Sequence, residues 1–172
     1  MHYSALVPCV IASLTAHGIA SACGIAPEIF PIASIPAFTA KNALIIGIFA
    51  VLCALVSILF CTTLHNAERL FKNPYVRALA GGLIVIGLTM LMGNQTYNGT
   101  GMNIITGCME GKTVFPLAFL LKMVFTAATL GAGYKGGEIV PTLFIGSTFG
   151  TFFASAFGCS IPLCAAVGMG AV

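Results

Sequence analysis

Apolar residues run in long blocks along this chain, and its few polar residues gather between them. The blocks at 6–23, 42–64, 78–92, 115–130 and 142–157 have the continuity of helices that enter or cross a bilayer, for which about 20 residues suffice. A further apolar stretch runs over 163–172, and the one at 104–109 is too short to span. Between them lie six connections, one of them between 130 and 142. Residues 24–41 hold Pro27, Glu28, Pro31 and Pro36, and the prolines forbid a regular helix. Residues 65–77 read as a wet loop with Arg69, Lys72 and Arg77 against a single acid, Glu68. By the positive-inside rule that loop faces the cytoplasm and 24–41 faces outside. Residues 93–103 are the most polar stretch, Glu110-Gly111-Lys112 is the next, and Cys159-Ser160-Ile161-Pro162 makes a short turn.

The blocks differ in detail. The first carries Pro8, Ser13, Thr15, His17 and Ser21, which is polar for a lipid-facing helix and predicts a place inside a bundle. His17 is expected to be a neutral imidazole bonded to a neighbouring helix, with a proton relay as the alternative. Gly81, Gly82 and Gly87 predict close approach of another backbone. Lys122 stands alone in the fourth block. It is expected to snorkel to an interface, or else to lie near an anion route and lend positive potential.

One stretch departs from the pattern. From Gly131 to Gly146 an apolar run breaks into glycines, passes Lys135 and Glu138, and resumes after Pro141. In hydrocarbon an interrupted helix is tolerated only where the freed backbone is covered by protein or lines a polar cavity. Glycine leaves the main chain open to a ligand, and proline suits the first helical position. Unpartnered N–H groups at such a helix start, backed by the positive end of the dipole, bind anions. The bland alternative is a glycine-rich surface loop between two spans.

Composition settles the class. The chain is 59% hydrophobic and 6% charged, with mean hydropathy +1.06. A soluble domain carries roughly a quarter charged residues, so this is an integral membrane protein. A net charge of +3 is too small and too scattered to point to nucleic acid. The seven cysteines and three histidines are scattered singly, with no C-x-x-C or H-x-x-x-H spacing. The cysteines read as small apolar residues rather than a disulfide or metal framework. No cofactor is implied, and no nucleophile–base pair marks an enzyme.

Gly137-Glu138-Ile139-Val140-Pro141 resembles the G-x-F-x-P signature of the CLC family of chloride channels and proton-coupled anion transporters, with Ile139 in place of Phe. The segments around it resemble the family too, as does Tyr97-Asn98-Gly99-Thr100-Gly101-Met102-Asn103, which is similar to its glycine-rich approach to a short helix. The resemblance is strong over 93–172 and one of hydropathy before that. It implies an all-α, polytopic transmembrane fold of broken helices in inverted repeats. The chain, 1–172, would then be a partial domain covering much of the second repeat and truncated at both ends. The gating glutamate, the serine-bearing loop and the inner-gate tyrosine of the family would lie elsewhere.

The resemblance also implies a function: transport of a halide, chloride or fluoride, across the plasma membrane by a homodimer in the lipid bilayer, with protons as possible partners. Carried over by position, the amides of Glu138 and Ile139 hold the anion, within a site formed by Gly136, Gly137, Glu138, Ile139, Val140 and Pro141. Gly136 and Gly137 allow approach, and Pro141 starts the helix. Glu138 is either a helix cap or, if burial raises its pKa, the proton-coupling group. The form G-G-E-x-x-P is similar to the fluoride-exporting branch. Alternatives are a truncated repeat that only packs with partner subunits, and another small-solute carrier with a broken helix.

Overall fold

The computed structural model describes residues 6–25, 39–69, 74–93 and 95–172, all of them in helices and the segments joining them. Helix α1 (Leu6–Ala22) belongs to a first unit. The second unit contains α2 (Ala40–Arg69), α3 (Pro74–Met92), α4 (Met102–Met109), α5 (Ala118–Gly131), α6 (Ile139–Phe157) and α7 (Ile161–Ala171). Among the described residues, three helical stretches are long and apolar enough to cross a membrane: Asn42–Ala67, Tyr75–Met92 and Ile139–Phe157. Helix α1, at 17 residues, is shorter than the expected span.

Helix α2 shows how an evenly apolar sequence chooses a face. Phe49, Cys53, Val56, Phe60 and Leu64 recur every three or four residues, fall on one stripe, and are buried with Phe119, Met123 and Ala127 of α5 and Ile145, Phe149 and Phe153 of α6. The opposite stripe, with Leu44, Ile48, Val51, Leu55 and Ile58, is exposed and just as apolar. A helix apolar on all sides is what hydrocarbon surroundings require. Phe49 anchors the centre, with its ring 4.7 Å from that of Phe153 and 6.0 Å from that of Phe149.

Small residues set the closest contact. In a bilayer, lipid is as apolar as leucine, so helices associate through tight packing rather than expulsion of water. On α6, Gly146 and Gly150 lie against Gly168 and Cys164 of α7, so near that any Cβ would strike the facing main chain. The pairing of 146 with 168 and of 150 with 164 makes the two helices an antiparallel hairpin, turned at Gly158 with φ 65°. Hydroxyls in the buried face bond back along their own helix: Ser147 and Thr148 donate to the Phe144 carbonyl at 3.0 and 2.8 Å, and Thr151 to that of Ser147 at 3.0 Å.

Several boundaries differ from the sequence expectation. The predicted loop over 65–77 is helical at both ends: α2 continues through His65 to Arg69 and α3 begins at Pro74. Hydropathy reports the solvent beside a residue, not its backbone, and proline at a first helical position costs no hydrogen bond. Residues 70–73 lie outside the described residues, as do Pro27, Glu28, Pro31 and Pro36 of the first connection. Helix α6 starts at Ile139, two residues before Pro141, which occupies the first turn where its missing N–H has no partner to lose. Likewise α7 starts at Ile161 within the predicted turn, with Pro162 in its first turn. Of the glycines in α3, Gly81 meets Ala132 and Gly82 faces the Tyr134 hydroxyl, whereas Gly87 has nothing near it.

Candidate functional site

The break between α5 and α6 is held by one side chain and one turn. Gly133 has φ 89°, a conformation that needs glycine, and Tyr134 reaches back to donate its hydroxyl to the Ala78 carbonyl of α3 at 3.0 Å. Gly136 and Gly137 have ordinary φ, and a Cβ at Gly137 would meet open space. Glycine there keeps the main chain uncovered and is not needed for the turn. Glu138 occupies the N-cap of α6 and makes no side-chain capping bond. The first backbone donor of the helix to find a partner is Thr142, bonded to the Glu138 carbonyl at 3.0 Å. The N–H groups of Ile139 and Val140 precede any intrahelical acceptor, and Pro141 has none.

A cavity of about 270 Å³ lies beside this helix start. Gly136, Gly137 and Pro141 form one side of it; Lys122, Thr126 and Thr129 of α5 form another, and Tyr97, Asn98 and Gly99 a third. Of the six residues the sequence singled out, three therefore line the cavity. Val140 is half-buried, and Glu138 and Ile139 are exposed, Ile139 at 74%. Burial of Glu138, the premise for raising its pKa, is not supplied by the described residues.

Lys122 does not snorkel. It is 3% exposed, and its ammonium donates to the carbonyl of Tyr97 at 3.0 Å and to that of Gly99. It also stands 5.2 Å from the centre of the Phe144 ring, a cation–π contact. The reason is that Tyr97, alone among the described residues 95–100, is buried and brings the polar segment after α3 back against the helices. Tyr97 is buried, stacked on Phe125 at 6.0 Å and edge-on to Phe144 at 6.1 Å, and Asn98 donates to Thr89 Oγ1 at 3.0 Å. Gly101, at φ 73°, then turns the chain into α4 directly against the Phe144 ring, where a Cβ would collide. The carbonyls that this fold turns inward find the lysine.

Sequence reasoning passed over Thr126 and Thr129 as members of this site. The signal was present: Lys122, Thr126 and Thr129 sit four and three apart, on one face of α5. Together the three walls give a mainly apolar pocket with a buried positive charge, uncovered main chain and a helix start whose dipole is positive. Such a place attracts a small anion and offers it donors that need no side-chain movement. Among the described residues there is no cluster of His, Cys, Asp or Glu fit to hold a metal.

The family described as "Voltage gated chloride channel" matches residues 1–172. A chloride/fluoride channel protein of Pseudomonas syringae pv. tomato is 29% identical over 100% of this chain and 40% of its own length. The voltage-gated ClC-type chloride channel ClcB of Salmonella typhimurium is 32% identical over 67% of this chain and 28% of its own. Among solved structures, a CLC-type fluoride/proton antiporter matches with a TM-score of 0.89 at 29% identity, covering 97% of this chain and 43% of that one. The chain thus spans less than half the length of these relatives. Its all-helical fold, its apolar spans and the match along its whole length make it a member of the voltage-gated chloride channel (CLC) family of membrane proteins.

Proposed function

We propose that the protein of which this chain is part carries halide ions across the plasma membrane, binding the ion at the start of α6. The observation that supports this best is the cavity in which uncovered main chain at Gly136 and Gly137 faces the buried ammonium of Lys122. The ion's ligands are backbone N–H groups from Glu138 to Val140, and Lys122 supplies the positive potential that draws it in. No bond is made or broken. Glu138, at the lip of the site, carries the proton-linked part: ionised, it repels the halide, and neutral, it admits it. The working unit is a homodimer, as the family resemblance implies.

Fluoride stands beside chloride as the transported ion. Two relatives that match nearly all of this chain carry fluoride in their names, one of them together with chloride. The test is efflux from liposomes containing the full-length protein, followed with fluoride- and chloride-selective electrodes in parallel, with and without a pH gradient. Fluoride efflux that moves protons uphill supports the antiporter form, and chloride efflux indifferent to pH supports a chloride channel. Neither ion moving would overturn the proposal.

A further inference from the structure

Cysteines that look isolated in the sequence are brought together by the fold. Cys53 of α2 and Cys164 of α7 belong to one buried cluster, and Cys159 in the α6–α7 turn packs against it. All three are free thiols. Cys159 and Cys164 also line one cavity of about 230 Å³, near Asn42, Phe49 and Ser160. Their exposure differs: Cys159 is partly open, Cys164 is 5% exposed, and Cys53 is fully buried.

The cause of their meeting is local. Ser160 is the N-cap of α7, so Cys159 precedes the cap and Cys164 is the fourth helical residue. Those are the two positions whose side chains pack across a helix start as a hydrophobic staple. Here both halves of the staple are thiols. We propose that Cys159 and Cys164 are a redox-active pair that closes into a reversible disulfide, a covalent staple across the start of α7.

The chemistry balances with a peroxide as oxidant. Cys159, the thiol open to the cavity, loses its proton and attacks one peroxide oxygen; the O–O bond breaks, one water leaves, and Cys159 becomes a sulfenic acid. Cys164 then attacks that sulfur, the S–S bond forms, and a second water departs with the Cys164 proton. Two thiols and one hydrogen peroxide give one disulfide and two waters. A small dithiol reverses the step by exchange. Cys53 takes no part, because it is sealed between helices and has no opening to the cavity.

Position supports the pairing. The cavity is bounded by Asn42 at the first turn of α2, the end remote from His65 and Arg69. With the basic segment placed in the cytoplasm, this end meets the outer side, where disulfides persist. Closed, the staple would fasten the first turn of α7 to the end of α6 and so brace the Gly150–Cys164 crossing.

The test uses the full-length protein in native membranes. Hydrogen peroxide is added, free thiols are alkylated, and the chain is cleaved at methionines, releasing residues 124–169, which contain Cys159 and Cys164 and no other cysteine. The expected product is this fragment lighter by two hydrogens, unalkylated, and restored by dithiothreitol before alkylation. In Cys164→Ser the intermediate has no resolving thiol, so dimedone should label Cys159. A fragment alkylated at both positions after peroxide, a bridge from Cys159 to Cys53, or no dimedone on Cys159 in the variant would each overturn the proposal.

Discussion

Gly146 of α6 and Gly168 of α7 touch through their main chains: a Cβ on either would run into the carbonyl oxygen of the other. Neither oxygen belongs to a side chain that could swing away. The crossing therefore fixes how close the two helices come, and with it the position of the helix whose first turn borders the cavity.

Gly146→Ala should accordingly destabilise the protein, and Gly168→Ala likewise, each by about 1–3 kcal/mol, the usual cost of forcing an extra group into a packed interior. Gly47→Ala and Gly87→Ala are the controls, since both glycines lie within helices and have nothing near their Cβ positions. There the change should be neutral or favourable by up to about 1 kcal/mol, because alanine is the better helix former. Thermal unfolding of the full-length protein in detergent reads all four. Equal melting temperatures across the set would remove the glycine crossing as a structural constraint.

Lys122 separates fold from function. Lys122→Met leaves the carbonyls of Tyr97 and Gly99 without their donor, and the buried one, at Tyr97, costs about 1–3 kcal/mol. Lys122→Gln keeps a donor and drops the charge. Both variants should lose at least about tenfold in halide flux, while the glutamine form retains more of the stability, consistent with a desolvated charge acting at short range. Full flux in a folded Lys122→Gln protein would show that the ammonium only ties the loop in place.

Gly137→Leu addresses the anion site directly. Open space around the Gly137 Cβ position means the side chain can be accommodated without a clash, so stability should change by less than about 0.5 kcal/mol. The leucine would nonetheless fill the cavity wall and cover the amides. Halide binding measured by calorimetry should vanish. Unaltered affinity in a stable variant would count against this helix start as the binding place.

The sequence made the succession of spans legible, because a bilayer demands long apolar runs and forbids open backbone between them. The glycine-rich break was legible for the same reason. What it hid falls into two kinds. Helix limits at Arg69, Pro74, Ile139 and Ile161 were missed because polarity changes a residue's solvent and not its φ and ψ. The partners of Lys122 and the clustering of Cys164 with Cys53 were missed because they are contacts between chain segments. Tyr97 and Gly99 lie on a polar stretch that hydropathy assigns to water, and its aromatic residue is what turns it inward onto Phe125 and Phe144. The lysine and the inward carbonyls explain each other, and neither is interpretable alone. Cys53 and Cys164 stand more than a hundred positions apart, and no spacing rule reaches that far.

Glu138 offers the sharpest test of charge at the site. It sits at the N-cap of α6 but does not cap it, so its carboxylate is free to act on whatever approaches the amides behind it. An ionised carboxylate beside those donors repels a halide and competes for the same N–H groups. A protonated one does neither. Glu138→Gln removes that charge, so its halide flux should exceed that of the wild type, with protons no longer moving against the halide. Glu138→Asp keeps the charge on a shorter arm and should keep the wild-type flux and its response to a pH gradient. Flux assays in liposomes with and without a pH gradient distinguish these outcomes. A glutamine variant with wild-type flux and wild-type proton movement would leave Glu138 an exposed residue at a helix start.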